Sequence, residues 1–228
     1  MEHAEYKNIF KNEASHFFYV ANHKIILSLI AKYKKKPIGR RYKILDAGCG
    51  TGLLAKKLER FGAVWGVDVS EEAIKFSKKR GVRVKKASVT YLPFRSNYFD
   101  IITCVDVIYH KRVKSDKKAL SELFRVLKPS GILVIRVPAH NWLRRSCDLQ
   151  VHTRERYSVP TLKKKLGQVG FRVKKISYVN MFLFLPAFLS FVVEKMARSK
   201  AHSSPLMRLP KVLNSFVAYL LSTELPFI

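Results

Sequence analysis

A chain of 228 residues with 48% apolar content can bury the core of one large α/β domain, alone or with an appendage, which excludes a disordered or fibrous protein. Forty-four Lys and Arg against sixteen Asp and Glu leave a net charge of +28, which favours an anionic partner: nucleic acid, a phosphorylated substrate or an anionic lipid surface. Cys49, Cys104 and Cys147 lie far apart without metal-ligand spacing, which argues against zinc and disulfides and for a reducing, cytoplasmic setting.

Residues 1 to 5 lack a basic stretch followed by an apolar one, so no signal peptide is expected. The spacing of Phe17, Phe18, Ile25, Ile26, Leu29 and Ile30 predicts an amphipathic helix over 14–33, which Lys34-Lys35-Lys36-Pro37 stops. An apolar strand then ends at Ile44-Leu45, and Asp46 is followed by glycines at 48, 50 and 52. Leu53, Leu54 and Leu58 start the next helix. This is a strand, a tight turn that lets the backbone approach a ligand, and a helix N-terminus with free N–H groups. The spacing G-x-G-x-G is neither the dinucleotide fingerprint nor a P-loop.

A second strand over 64–68 ends in Asp68, 22 positions after Asp46. An acid about 20 residues on, accepting two hydroxyl hydrogen bonds, suits a ribose. The pattern continues with a helix over 71–80, a strand over 82–84, a buried-type strand over 101–105 and a helical stripe from Ala119 to Leu127. Lys128-Pro129-Ser130-Gly131 ends that helix, and a fifth strand covers 132–137. Five such units predict a Rossmann-like, doubly wound, mostly parallel sheet, with ligands beyond the carboxyl ends of its strands. Asp106 to His110 should therefore face the chemistry.

The second half is less regular. A polar loop over 138–157 carries Trp142 and several Arg and His; a helix over 160–168 and a strand over 171–179 follow. Residues 181–193 are almost wholly apolar but too short to span a bilayer, which needs about 20 residues. They form either a buried helix or one lying in a membrane interface, where Lys174, Lys175, Lys195, Arg198 and Lys200 would meet anionic lipid. Another amphipathic helix covers 205–222. The organisation expected is an N-terminal helical cap over 1–40, a ligand-binding domain over 41–180 and an apolar helical extension over 181–228.

The string Leu45-Asp46-Ala47-Gly48-Cys49-Gly50-Thr51-Gly52 resembles motif I of the class I S-adenosylmethionine-dependent methyltransferases. Leu92-Pro93-Phe94, Phe99-Asp100 and the run 125–131 are similar to later segments of that family. His152, Arg154, Arg156 and Tyr157, with the Pro/Phe-rich segment beyond, resemble its small type 11 branch. The resemblance implies methyl transfer from S-adenosylmethionine. Asp46, Gly48, Cys49, Gly50 and Gly52 would then surround the methionine portion, and Asp68 with Val69 the ribose. Ser88 and Val89 would flank adenine, and Val105 with Asp106 would form the floor. Ser88 stands where the family carries an acid, and Asn22 where it carries an arginine. Its final antiparallel strand has no clear counterpart here.

His110 and His152 are the candidate bases, and no metal site is expected. Phe17, Phe18, Tyr109, Arg154, Arg156 and Tyr157 are the candidate acceptor-lining residues, the arginines as a clamp for phosphate or carboxylate. The acceptor expected is a small or lipid-linked molecule. Methylation of RNA or another nucleic acid and a non-catalytic, membrane-peripheral scaffold are the alternatives. No Asn/Asp-Pro-Pro-Tyr/Phe or Pro-Cys follows the fourth strand, which argues against amino-methylation of adenine or glutamine and against cytosine C5 chemistry.

Overall fold

The computed structural model describes residues 3–34, 41–144, 146–196 and 209–225. Two helices come first, α1 (His3–Asn12) and α2 (Phe17–Tyr33). His16 caps α2, its ring nitrogen accepting from the N–H of Phe18 at 3.3 Å. Five strands then alternate with helices: β1 (Tyr42–Ala47), α3 (Leu53–Leu58), β2 (Gly62–Asp68), α4 (Glu71–Lys79), β3 (Arg83–Lys86), β4 (Phe99–Val105), α5 (Asp116–Val126) and β5 (Leu127–Arg136). The remaining helices are α6 (Cys147–Gln150), α7 (Val159–Val169), α8 (Phe184–Met196) and α9 (Lys211–Ser222).

The sheet runs β3-β2-β1-β4-β5 with every pair parallel, as the alternation of strands and helices predicts. Period-two alternation sends neighbouring side chains to opposite faces. Leu45, Ile102 and Phe99 pack on one side with Leu120, Leu123 and Leu162 from α5 and α7. Ile44 and Ile101 pack on the other with Ile26, Ile30 and Leu58 from α2 and α3. The strand order reverses between β1 and β4, and at such a switch point the strand ends leave a crevice.

Gly62 pairs with Tyr42 at the start of β2, and a Cβ there would stand 2.1 Å from the Tyr42 carbonyl oxygen. Backbone held in a ladder has little room to shift. Gly62→Ala should therefore cost about 2 to 3 kcal/mol, as overpacking does, and thermal denaturation should show a melting temperature lower by roughly 5 to 10 °C.

Two expectations need correction. Residues 171–179 join no ladder among the described residues, and β5 is left as an edge of the described sheet. Phe171, Val173 and Ile176 turn toward the core, a spacing that Lys174-Lys175 breaks away from strict alternation. The apolar segment 181–193 is not a buried helix: among the described side chains of α8 none is buried, and Leu185, Leu189 and Val193 are 55 to 64% exposed. No described helix is long and apolar enough to cross a membrane. Lys35 to Pro37, Arg198, Lys200, residues 205–208 and the Cys147 side chain lie outside what is described, while Cys49 and Cys104 are free and buried.

Candidate active site

The turn after β1 is built from sterics. Gly48 has φ +81°, and a Cβ on it would fall 2.2 Å from Val107 Cγ2. Only a residue without a side chain lets the loop after β4 come that close. Gly50, at φ +53°, faces open space, so the turn is bare at that position. The N–H groups of Gly48 and Cys49 both donate to the Val67 carbonyl, at 2.8 and 3.0 Å, which ties the turn to β2. The Cys49 thiol is turned inward against the Ser77 hydroxyl, 3.6 Å away.

Two acids flank this turn. Asp46 is buried, and one oxygen accepts from the Thr103 hydroxyl at 2.7 Å, which couples β1 to β4 at the switch point. Burial pushes its carboxyl up to about 7, with the nearby charge of Asp68 adding to the effect. Asp68 accepts from the N–H groups of Gly50 (3.0 Å) and Ser70 (2.9 Å), so it braces the turn and the start of α4. Each of its oxygens keeps a further lone pair. A buried and a half-buried carboxyl beside this turn suit a cationic ligand with hydroxyl groups, since such a ligand favours their ionised forms.

Val69 is exposed beside Asp68, but Val89 is buried in the core, so its side chain is not part of an opening. The Ser88 hydroxyl lies 2.8 Å from that of Thr90 and also accepts from the Thr90 N–H.

At the ends of β4 and β5 the structure adds Arg136 and Tyr19, which local patterns did not reveal, to Asp106, Phe18 and Tyr109, which they did. Asp106 adopts φ +57° and its carboxylate pairs with Arg136. Phe18 lies under that guanidinium, 4.9 Å from the ring centroid. Tyr19 and Tyr109 are held protonated, first by burial and then by the charge of Asp106. Phe17 stacks on His16 at 4.5 Å instead. Val105 packs on the core face that α2 and α3 cover.

The N-terminal helices are fastened onto the turn. Glu13 accepts from the Thr51 hydroxyl and from Arg80, the latter at 2.8 Å. Arg80 also donates to the carbonyls of Thr51 (3.1 Å) and Phe10 (3.0 Å). Glu13 and Arg80 stand 67 positions apart, and no sequence signal announces the pair.

His110 and His152 do meet, with ring centroids 5.6 Å apart. Burial, His152 and Arg112 draw the His110 imidazole down to about 4, so it is neutral and a weak base. The arginine clamp, by contrast, is not formed. Arg154 pairs with Asp116, and Arg156 with Asp148 at 3.0 Å. Tyr157 donates to Asp116 at 2.7 Å from a buried position. These three residues brace the loop after β5, because acids from α5 and α6 reach them first. Among the described residues no group of His, Cys, Asp and Glu could hold a metal ion.

A parallel sheet with a glycine turn and paired acids at its switch point is the class I, Rossmann-like methyltransferase fold. A Thermotoga maritima protein described as an S-adenosylmethionine-dependent methyltransferase, possible histamine N-methyltransferase, shares it with TM-score 0.60 at 24% identity, over 75% of this chain and 78% of that one. Residues 45–135 match the methyltransferase-domain family Methyltransf_11, so that stretch is a class I S-adenosylmethionine-dependent methyltransferase domain. Members of this class take the methyl group from S-adenosylmethionine.

The chain is 37% identical over 95 residues to an Arabidopsis thaliana tRNA (carboxymethyluridine(34)-5-O)-methyltransferase, covering 41% of this chain and 23% of that one. It is 34% identical over 111 residues to a Serratia proteamaculans ubiquinone/menaquinone biosynthesis C-methyltransferase, covering 43% of each. The chain spans at most 65% of the length of these and the other most similar curated relatives.

Proposed function

We propose that this chain transfers a methyl group from S-adenosylmethionine to a small or lipid-linked acceptor at the periphery of an anionic membrane. The observation that carries the reading is the Gly48–Gly52 turn, open at Gly50, with the carboxyls of Asp46 and Asp68 beside it. When bound, the sulfonium supplies an activated methyl group. The chain supplies position: Asp46 and the turn hold the methionine portion, Asp68 and Val69 the ribose, and Ser88 the adenine. Tyr19 and Tyr109 are protonated donors beside Asp106, able to orient an acceptor oxygen. In this reading residues 1–40 are the cap, 41–180 hold the cofactor and 181–228 are the apolar extension, of which α8 faces the lipid. The exposed α8, the neighbouring Lys174, Lys175 and Lys195 and the charge of +28 support that contact.

Calorimetric titration of the full chain with S-adenosylmethionine and S-adenosylhomocysteine tests this. Saturable binding is expected; none at millimolar cofactor would sink both the activity and the site. The pH dependence carries a sign. The Asp46 carboxyl titrates near 7, and a cationic ligand group favours its ionised form. Binding below pH 7 should therefore release a proton, and affinity should fall by up to roughly tenfold per pH unit as pH drops from 7 toward 5. Titrations in two buffers of different ionisation enthalpy would count that proton.

A second reading, RNA methylation, draws on the Arabidopsis relative and on the charge of +28. RNA binding with a steep salt slope would promote it. The third, a scaffold that kept the fold without catalysis, falls with the first positive turnover.

A further inference from the structure

We infer that the acceptor is an anionic amphiphile, its charged head received by Arg136 and Asn180 and its apolar body by the groove along β5. The inference rests on the methyl-transfer reading above and names the acceptor class for it.

Arg136 ends β5 with one nitrogen committed to Asp106 and its face on Phe18. Its Nη1 is buried and has no hydrogen-bond partner among the described residues. A guanidinium offers five donors, and a buried one left unmade is costly. Asn180 presents the complementary case. Its amide nitrogen donates to Asn22 Oδ1 at 3.3 Å, and the Asn22 amide nitrogen donates to the Phe18 carbonyl at 2.6 Å. That chain fixes which way the Asn180 amide points. Its Oδ1 is left buried and without a partner among the described residues. Asn180 is also held at φ +63°, with its backbone N–H on Glu224 at 2.6 Å.

Both orphaned atoms belong to residues that line one cavity of about 990 Å³, together with Phe18, Asn22 and Asp106. The polar group is therefore at the strand ends, where the fold places its chemistry. From there the cavity follows the open edge of β5, walled by Ile25 and Leu29 of α2, Val134 of β5 and Ile176. An unsatisfied guanidinium N–H and an unsatisfied amide oxygen beside an apolar trough match a carboxylate or a phosphate monoester on a hydrocarbon body. A phosphate monoester fits more fully, because its P–OH can donate to Asn180 Oδ1 while its anionic oxygen accepts from Arg136 Nη1.

The test is calorimetry on the full chain with S-adenosylhomocysteine present, using decyl phosphate, decanoate and decanol below their micelle-forming concentrations, and inorganic phosphate. The expected order is decyl phosphate, then decanoate, with decanol and inorganic phosphate each roughly tenfold or more weaker, as losing a charge-assisted hydrogen bond or the apolar body implies. Arg136→Gln should weaken the two anionic amphiphiles roughly 10- to 100-fold and leave decanol unchanged. Because Arg136→Gln also leaves Asp106 unpaired, Asn180→Asp serves as a second variant. It keeps a residue that tolerates positive φ, places a carboxylate at the head site, and should repel both anions.

Equal binding of decanol and decanoate, or binding that both variants leave intact, would overturn the inference. Inorganic phosphate binding as tightly as decyl phosphate would assign the effect to surface charge. A blocked Val-Thr-Val-Thr-Val-Thr peptide that displaces decyl phosphate would assign the groove to strand addition on β5. Loss of S-adenosylhomocysteine binding itself would count against the cofactor site; intact cofactor binding without amphiphile binding counts against the acceptor class alone.

Discussion

Gly48→Ala is expected to weaken S-adenosylmethionine binding by two orders of magnitude or more. Two costs fall on one methyl group. The backbone at φ +81° sits in the left-handed region, where an L-residue pays roughly 1 to 2 kcal/mol. The new Cβ would also overlap Val107 Cγ2 at 2.2 Å, and overpacking costs about 1 to 3 kcal/mol. The chain relieves the overlap by moving the turn or by moving Val107. The first distorts the surface that receives the ligand; the second displaces Asp106 and, through it, Arg136. Val107→Ala separates the two costs. The double variant should recover the share due to overlap and keep the share due to φ, which a double-mutant cycle on calorimetric affinities would divide. If Gly48→Ala bound the cofactor as well as the unaltered chain, the turn would not be where the ligand lies.

The second large effect concerns the surface. Substituting Leu185, Leu189 and Val193 together by glutamine should reduce binding to phosphatidylglycerol vesicles by about 100-fold, taking each exposed side chain to contribute about 1 kcal/mol on insertion. These side chains are 55 to 64% exposed, so the fold loses almost nothing with them and the melting temperature should hold. That combination, lost flotation with intact stability, distinguishes an interfacial helix from a structural one. Residual binding of the triple variant should be electrostatic and should vanish as salt rises. Unaltered flotation, or equal binding of the unaltered chain to purely zwitterionic vesicles in high salt, would remove α8 and the basic charge respectively from the account.

Local patterns carried much of this molecule. Ile44, Leu45, Asp46 and the three alternating glycines announce β1, its turn and α3 because sterics and periodicity act over a few residues. The same holds for α5, whose apolar stripe through Ala119, Leu120 and Leu123 is buried. What the sequence hid are partnerships across the chain. Glu13 finds Arg80, Asp106 finds Arg136 and Asn22 finds Asn180 only after the sheet has formed. The misreading of Arg154 and Arg156 has the same origin. A basic loop looks like a clamp until Asp116 and Asp148, supplied by other elements, neutralise it. For residues 181–193, hydropathy shows that water is unfavourable but cannot name what replaces it. The structure leaves that helix uncovered, so the replacement lies outside the described fold.

The open edge of β5 has a consequence for how copies of the chain behave in concentrated solution. Lys128, Pro129 and Arg136 guard its ends, but its run Ile132-Leu133-Val134-Ile135 carries neither charge nor proline, a condition that favours sheets joining edge to edge. At +28, each copy repels the next, and that repulsion reaches only about 10 Å at 0.1 M salt. Ionic strength therefore acts on this protein in two opposed ways. It should loosen any grip on anionic surfaces, and it weakens the charge repulsion that keeps copies of the chain apart.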